Sequence, residues 1–168
     1  MTDARSIYIS ALRNTHAMEQ QGLQQMEIQV SRLEKYPEYS ALLQKHIETT
    51  RQQIQRIEQA LQSAGESPPA VKEAVTSAAG SVGATVHGMF QDETLKNLYA
   101  GYAYQYEQIA AYRSLIAIAE SSGETGHVAA FRQSIQEEEQ AAQQSADLIE
   151  PVTRKYVELT TSGEEADS

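Results

Sequence analysis

The strongest constraint on the fold is a spacing repeated along four long stretches: apolar residues three and four apart, with almost nothing that breaks a helix. From about Arg5 to Leu33 there is no proline and one glycine, and Leu12, Leu23, Met26, Val30 and Leu33 recur with helical period. Pro37 suits the first turn of a second helix, whose stripe is Leu43, Ile47, Ile54, Ile57 and Leu61 and whose end falls near Ala64. Asp92 is placed to N-cap a third, with Leu95, Leu98, Tyr102, Ile109, Tyr112, Ile116 and Ala119 inward and a stop at Ser121-Ser122-Gly123. A fourth begins near Thr125 and carries Val128, Phe131, Ile135 and Ile149. Pro151 is expected to kink or stop it, since proline lacks the amide hydrogen of the helical ladder. The chain reads as all-α.

The connections decide between bundle topologies. Two of them are tight turns, but residues 65–91 form a long Ala/Gly/Ser/Val-rich region opened by Pro68 and Pro69, read as a crossover with short helical pieces. Two antiparallel hairpins joined by such a crossover are the arrangement of ferritin-like four-helix bundles, whereas simple up-down bundles use short loops throughout. Residues 1–160 are read as one domain and 161–168 as a disordered acidic tail.

Charge and composition narrow the function. With 23 acidic against 13 basic residues and a formal charge of -10, no basic stripe is available to neutralise a row of phosphates, so nucleic acid is not an expected partner. The absence of cysteine removes disulfides, thiolate metal sites and thiol nucleophiles. No basic leader and no apolar run of membrane length occur, and the expectation is a cytoplasmic protein with no membrane association. Glycine-rich phosphate loops and nucleophile elbows are also missing, as are the strands they require.

Each apolar stripe contains a polar interruption. In the first helix His16 and Glu19 fall between Leu12 and Leu23, so Glu19 should point inward. In the second, Glu48 and Arg51, one turn apart, fill the interval between Ile47 and Ile54. Gln105 interrupts the third, and Glu138 the fourth, with Ala141 and Ala142 following it. In ferritin-like bundles these are the places where a metal pair is held, by a Glu from each of two helices and a Glu-x-x-His pair from each of the others.

At this point the chain resembles the YciE/YciF-type ferritin-like proteins, a bacterial family associated with stress responses. The resemblance runs from about Ser6 to Leu148. It is carried by Leu12, Thr15 and Glu19, then by His46-Ile47-Glu48, Ile54, Arg56, Ile57 and Glu58. It continues through Ile109-Ala110, Tyr112, Leu115, Ala119-Glu120 and Gly123, and closes on Glu137-Glu138 and Asp147-Leu148. The family's ligand pattern lands on Glu19, Glu48 and Glu138. Its histidine falls on Arg51, its third-helix glutamate on Gln105 and its late aspartate near Ala141 or Ala142, so about half the set is missing.

Two readings follow. In one, Arg51 pairs with the leftover carboxylates in a metal-free structural layer, no cofactor is bound, and the protein acts without catalysis through self-association or an unidentified protein partner. In the other, Glu19, Glu48, Glu138 and His16 hold iron, manganese or zinc for redox or metal handling, a role Arg51 would oppose because a guanidinium keeps its charge. The resemblance points to a homodimer. His46, His87 and His127 are read as surface residues, the tyrosines of the third helix as packing, and Glu137 as part of a solvated face.

Overall fold

In the computed structural model, residues 3–68 and 92–167 are described. Four long helices make up this part: α1 (Ala4–Val30), α2 (Pro37–Ser63), α3 (Glu93–Ser122) and α4 (Val128–Thr161), the last preceded by a 3-10 turn at Thr125–His127. Among the described residues there is no strand, and no helix is long and apolar enough to cross a membrane.

The helix ends show how they are oriented. Arg5, at the start of α1, donates to the Ala64 carbonyl beyond α2 at 2.8 Å and to Glu124 beyond α3 at 3.2 Å. At that same end His127 meets Ser63 at 2.9 Å, while at the other end Arg32 pairs with Glu93 at 2.6 Å. Every adjacent pair is therefore antiparallel, and α2 ends at the opposite end of the bundle from the start of α3. A short loop could not join those ends. The crossover itself and His87 lie outside the described residues.

Local chemistry accounts for most of the boundaries. Asp3 caps α1 by accepting from the Ser6 amide at 2.7 Å, and Pro37 occupies the first turn of α2. Gly123 ends α3 in the left-handed conformation at φ 75, and the Glu124 amide returns to the Ala119 carbonyl at 2.9 Å.

Three expectations are corrected at this level. Pro151 does not stop α4: the helix runs ten residues further, to Thr161, because Val152 and Leu159 beyond the proline are buried in the core and their burial outweighs one missing hydrogen bond. Asp92 does not cap α3 with its own side chain. It has a left-handed φ of 75, and the cap comes from the tail, where Asp167 accepts from the Thr94 amide at 3.0 Å and the Asp92 amide at 3.1 Å. Nor is the tail disordered through Asp167. Ala166 is buried, its carbonyl accepts from the Tyr36 hydroxyl at 2.8 Å, and the orphan amides of Asp92 and Thr94 at the start of α3 explain why an acidic tail docks there.

The core is divided. One hydrophobic cluster, around Tyr8, Leu12, Ile57, Leu61, Tyr112 and Phe131, fills the end holding the α3–α4 turn. A second, around Met26, Tyr36, Leu43, Ile47, Leu98 and Val152, fills the opposite end. Between them lies a layer of polar side chains.

Candidate functional site: the buried polar layer

All four helices contribute to this layer because each apolar stripe is interrupted at mid-helix. Its buried polar residues are Thr15, His16 and Glu19 from α1, His46, Thr50 and Gln53 from α2, Gln105 and Gln108 from α3, and Ser134, Glu138 and Ser145 from α4. The inward positions of Glu19, His16, Gln105 and Glu138 agree with the stripe reading.

The second helix does not. Glu48 and Arg51 face solvent, with side chains 66% and 47% exposed, and Arg51 bridges Glu48 and Glu27 on the surface, the latter at 2.9 Å. Their carboxylates raise the basicity of its guanidinium further, Glu27 most. The residues that point inward are Thr50 and Gln53, with His46 one turn before. Successive helical residues turn by about 100°, so Glu48 sits beside the stripe of Ile47 and Ile54, and Thr50, three residues after Ile47, sits on it. His46, read from sequence as a surface residue, is buried.

His46 supplies the counterpart that sequence reasoning assigned to Arg51. Its Nε2 donates to both oxygens of Glu138 at 3.1 Å, and Gln53 Nε2 donates to Glu138 Oε1 at 2.8 Å. Beside this pair, Arg56 grips Glu137 through two bonds of 2.6 and 2.8 Å and reaches Ser134 at 3.1 Å. Glu137 is thus part of the α2–α4 interface, not of a freely solvated face. His16 and Glu19, though on one face, are not brought to a common point: His16 Nε2 meets Glu58 at 3.0 Å, while Glu19 Oε2 accepts from Gln108 at 2.8 Å. Gln105 donates to Ser145 at 2.9 Å, and Ala141 and Ala142 pack as small buried residues.

Charge in the layer is settled by a proton. Complete burial, reinforced by the charge of Glu138, pushes the Glu19 carboxyl up to about 8, with Tyr112 and Gln108 offsetting only part of this. Glu19 is therefore mainly protonated at neutral pH, and Glu138 is the group that His46 and Gln53 face. The Tyr112 hydroxyl, raised well above its ordinary range by burial and then by Glu19, stays protonated. Neither it nor Glu19 Oε1 makes a hydrogen bond of ordinary geometry among the described residues, although the two groups lie close enough to influence each other.

A di-metal centre calls for four carboxylates and two imidazoles on the inward faces. Here two carboxylates, Glu19 and Glu138, are buried, and among the described residues no three His, Asp or Glu side chains converge on a point that could hold a metal ion. The donor set does not match such a centre. Sequence reasoning missed His46, Gln53 and Gln108. Gln108 is one turn from Gln105 and was detectable on that ground, but His46 lies 92 residues from its partner and carried no local signal.

Below the layer, Gly22 admits the Tyr104 ring. A Cβ there would lie 2.6 Å from Tyr104 Cε1, and Tyr104 uses the clearance to donate its hydroxyl to the Met18 carbonyl.

Fold and layer together define a class: an antiparallel bundle of four helices, cross-linked at mid-core by hydrogen bonds and by the imidazole–carboxylate pairs His46–Glu138 and His16–Glu58. The chain belongs to the family described as a domain of unknown function, DUF892, whose model matches residues 3–158. Two solved structures are similar to it. A Xanthomonas campestris protein is 26% identical with a TM-score of 0.78, over 94% of this chain and 98% of that one. YcfI from Rhodopseudomonas palustris, provisionally described as a structural protein, is 23% identical with a TM-score of 0.68, over 87% of this chain and 94% of that one, a likeness of fold alone.

Proposed function

We propose that this protein is a ferritin-like bundle whose central layer has become structural, and that it acts without catalysis, through self-association, in the stress-associated role its family resemblance implies. The observation carrying this reading is the pairing of His46 with Glu138. The imidazole nearest a buried carboxylate is committed to it at 3.1 Å, and the other buried carboxylate, Glu19, faces Gln108 instead of a second ligand. Such a layer orders the four helices in one register, because every alternative pairing leaves a buried charge alone.

Self-association is supported by the outer face of α3. Tyr99 and Tyr106 are 45% and 53% exposed, and Tyr102 packs edge-on against Tyr106 with centroids 5.3 Å apart, giving an aromatic stripe along one helix. Tyrosine is enriched in protein interfaces, where its ring is covered and its hydroxyl stays wet. The proposed assembly is a homodimer in the cytoplasm, with this stripe covered by a second copy.

Metal content measured by mass spectrometry, after incubation with Fe(II), Mn(II) and Zn(II) and removal of excess, tests the first half. Substoichiometric retention is expected. Near-stoichiometric metal lost on Glu19→Ala would instead support the metal-handling reading. Light scattering after chromatography tests the second half: a dimer is expected for the native chain and a monomer for Tyr99→Arg with Tyr106→Arg. A native monomer would end the self-association reading.

A further inference from the structure

A cavity of about 180 Å³ lies next to the polar layer, at the end of the bundle occupied by the second hydrophobic cluster. Its walls combine Met26, Leu43 and Leu98 with Gly22 and Gly101, and its polar end presents His46 and Gln105. Among the described residues no Asp, Glu, Lys or Arg lines it, so an ion would meet no counter-charge from them. A neutral ligand suits the lining. In size the cavity slightly exceeds the roughly 150 Å³ space known to accept benzene.

The polar end offers acceptors. Gln105 uses its Nε2 on Ser145, which leaves Oε1 buried and without a partner. His46 turns Nε2 to Glu138, and the tautomer that donates there leaves Nδ1 as the acceptor of the ring. A buried acceptor left unmet costs free energy that a ligand's donor would recover.

We propose that this cavity is a binding site for a small neutral aromatic ligand carrying one hydroxyl donor, of the phenol class, with its ring between Met26, Leu43 and Leu98 and its hydroxyl donating toward His46 and Gln105. Self-association is not required for it. Gly101 is the residue at which to block it, because it lines the cavity and a Cβ at that position meets nothing within 4 Å.

The test is a titration of the full chain, labelled at the methionine methyl groups, with phenol and with toluene, the near-isosteric ring that lacks the donor. Phenol is expected to shift the Met26 methyl resonance saturably, with an affinity about three- to tenfold above that of toluene, the value of one net hydrogen bond. Gly101→Phe should abolish the shift while the far-UV spectrum stays helical, and Gly101→Leu serves if the phenylalanine variant does not fold. No saturable shift of Met26, equal affinities for the two rings, or unaltered binding in the folded Gly101 variant would each overturn the proposal.

Discussion

Replacing Glu19 by glutamine isolates the proton that neutralises the layer. In the folded protein its carboxyl is held up at about 8, against 4.5 for the unfolded chain. Between those values the folded state binds a proton that the unfolded state has released, so this residue makes the protein less stable as pH rises. Each unit is worth about 1.4 kcal/mol, which amounts to roughly 3 kcal/mol between pH 4.5 and 7. Glutamine carries no such penalty. Its carbonyl keeps the bond from Gln108, and its amide takes the place of Oε1 beside the Tyr112 hydroxyl. Glu19→Gln should therefore match the native protein near pH 4.5 and exceed it by about 3 kcal/mol at pH 7, with the gap flat above pH 8. Urea unfolding of both proteins at half-unit steps from pH 4.5 to 8.5 measures the gap, and the contributions of the histidines cancel in the difference. Stability curves that run parallel across this range would refute a protonated Glu19.

Three further outcomes follow from the same geometry. His46→Ala should cost about 3–5 kcal/mol by urea unfolding, since it leaves Glu138 buried without its imidazole, whereas Arg51→Ala, which breaks only surface pairs, should leave the unfolding midpoint unchanged. Gly22→Ala should cost about 1–3 kcal/mol, because the new methyl displaces the Tyr104 ring; a thermal melt unchanged from the native protein would show that the ring is free to move. Asp167→Ala should cost about 1 kcal/mol through the lost cap on α3, read by hydrogen exchange at Thr94. Burial acts to raise the Asp167 carboxyl, but the amides of Thr94 and Asp92 outweigh it and hold the pKa below the ordinary 3.8, so this stabilisation is present at neutral pH and fades as pH falls below that value.

Helices are legible in this sequence because their signal is local. A period of 3.6 sets α1, α2, α3 and the start of α4 to within a few residues, and it exposes Glu19 and Glu138 because each replaces an apolar residue on an otherwise regular stripe. The small residues Ala141 and Ala142 and the amide of Gln105 were legible for the same reason. Azimuth is harder. In α2 the seven-residue interval from Ile47 to Ile54 leaves several polar side chains within a turn of the stripe, and only the positions of α1 and α4 decide that Thr50 and Gln53 are covered while Glu48 and Arg51 stay in water.

The sequence by itself determined an all-helical chain with polar residues at mid-stripe, since both properties are written in spacing and composition. The tertiary structure alone decided the partners. His46 with Glu138, Arg56 with Glu137 and Asp167 with the first amides of α3 are each more than 70 residues apart, and no local propensity encodes which distant groups will be desolvated together. It likewise decided that α4 continues through Pro151, because the burial of Val152 and Leu159 is a property of the assembled core and outweighs the local rule.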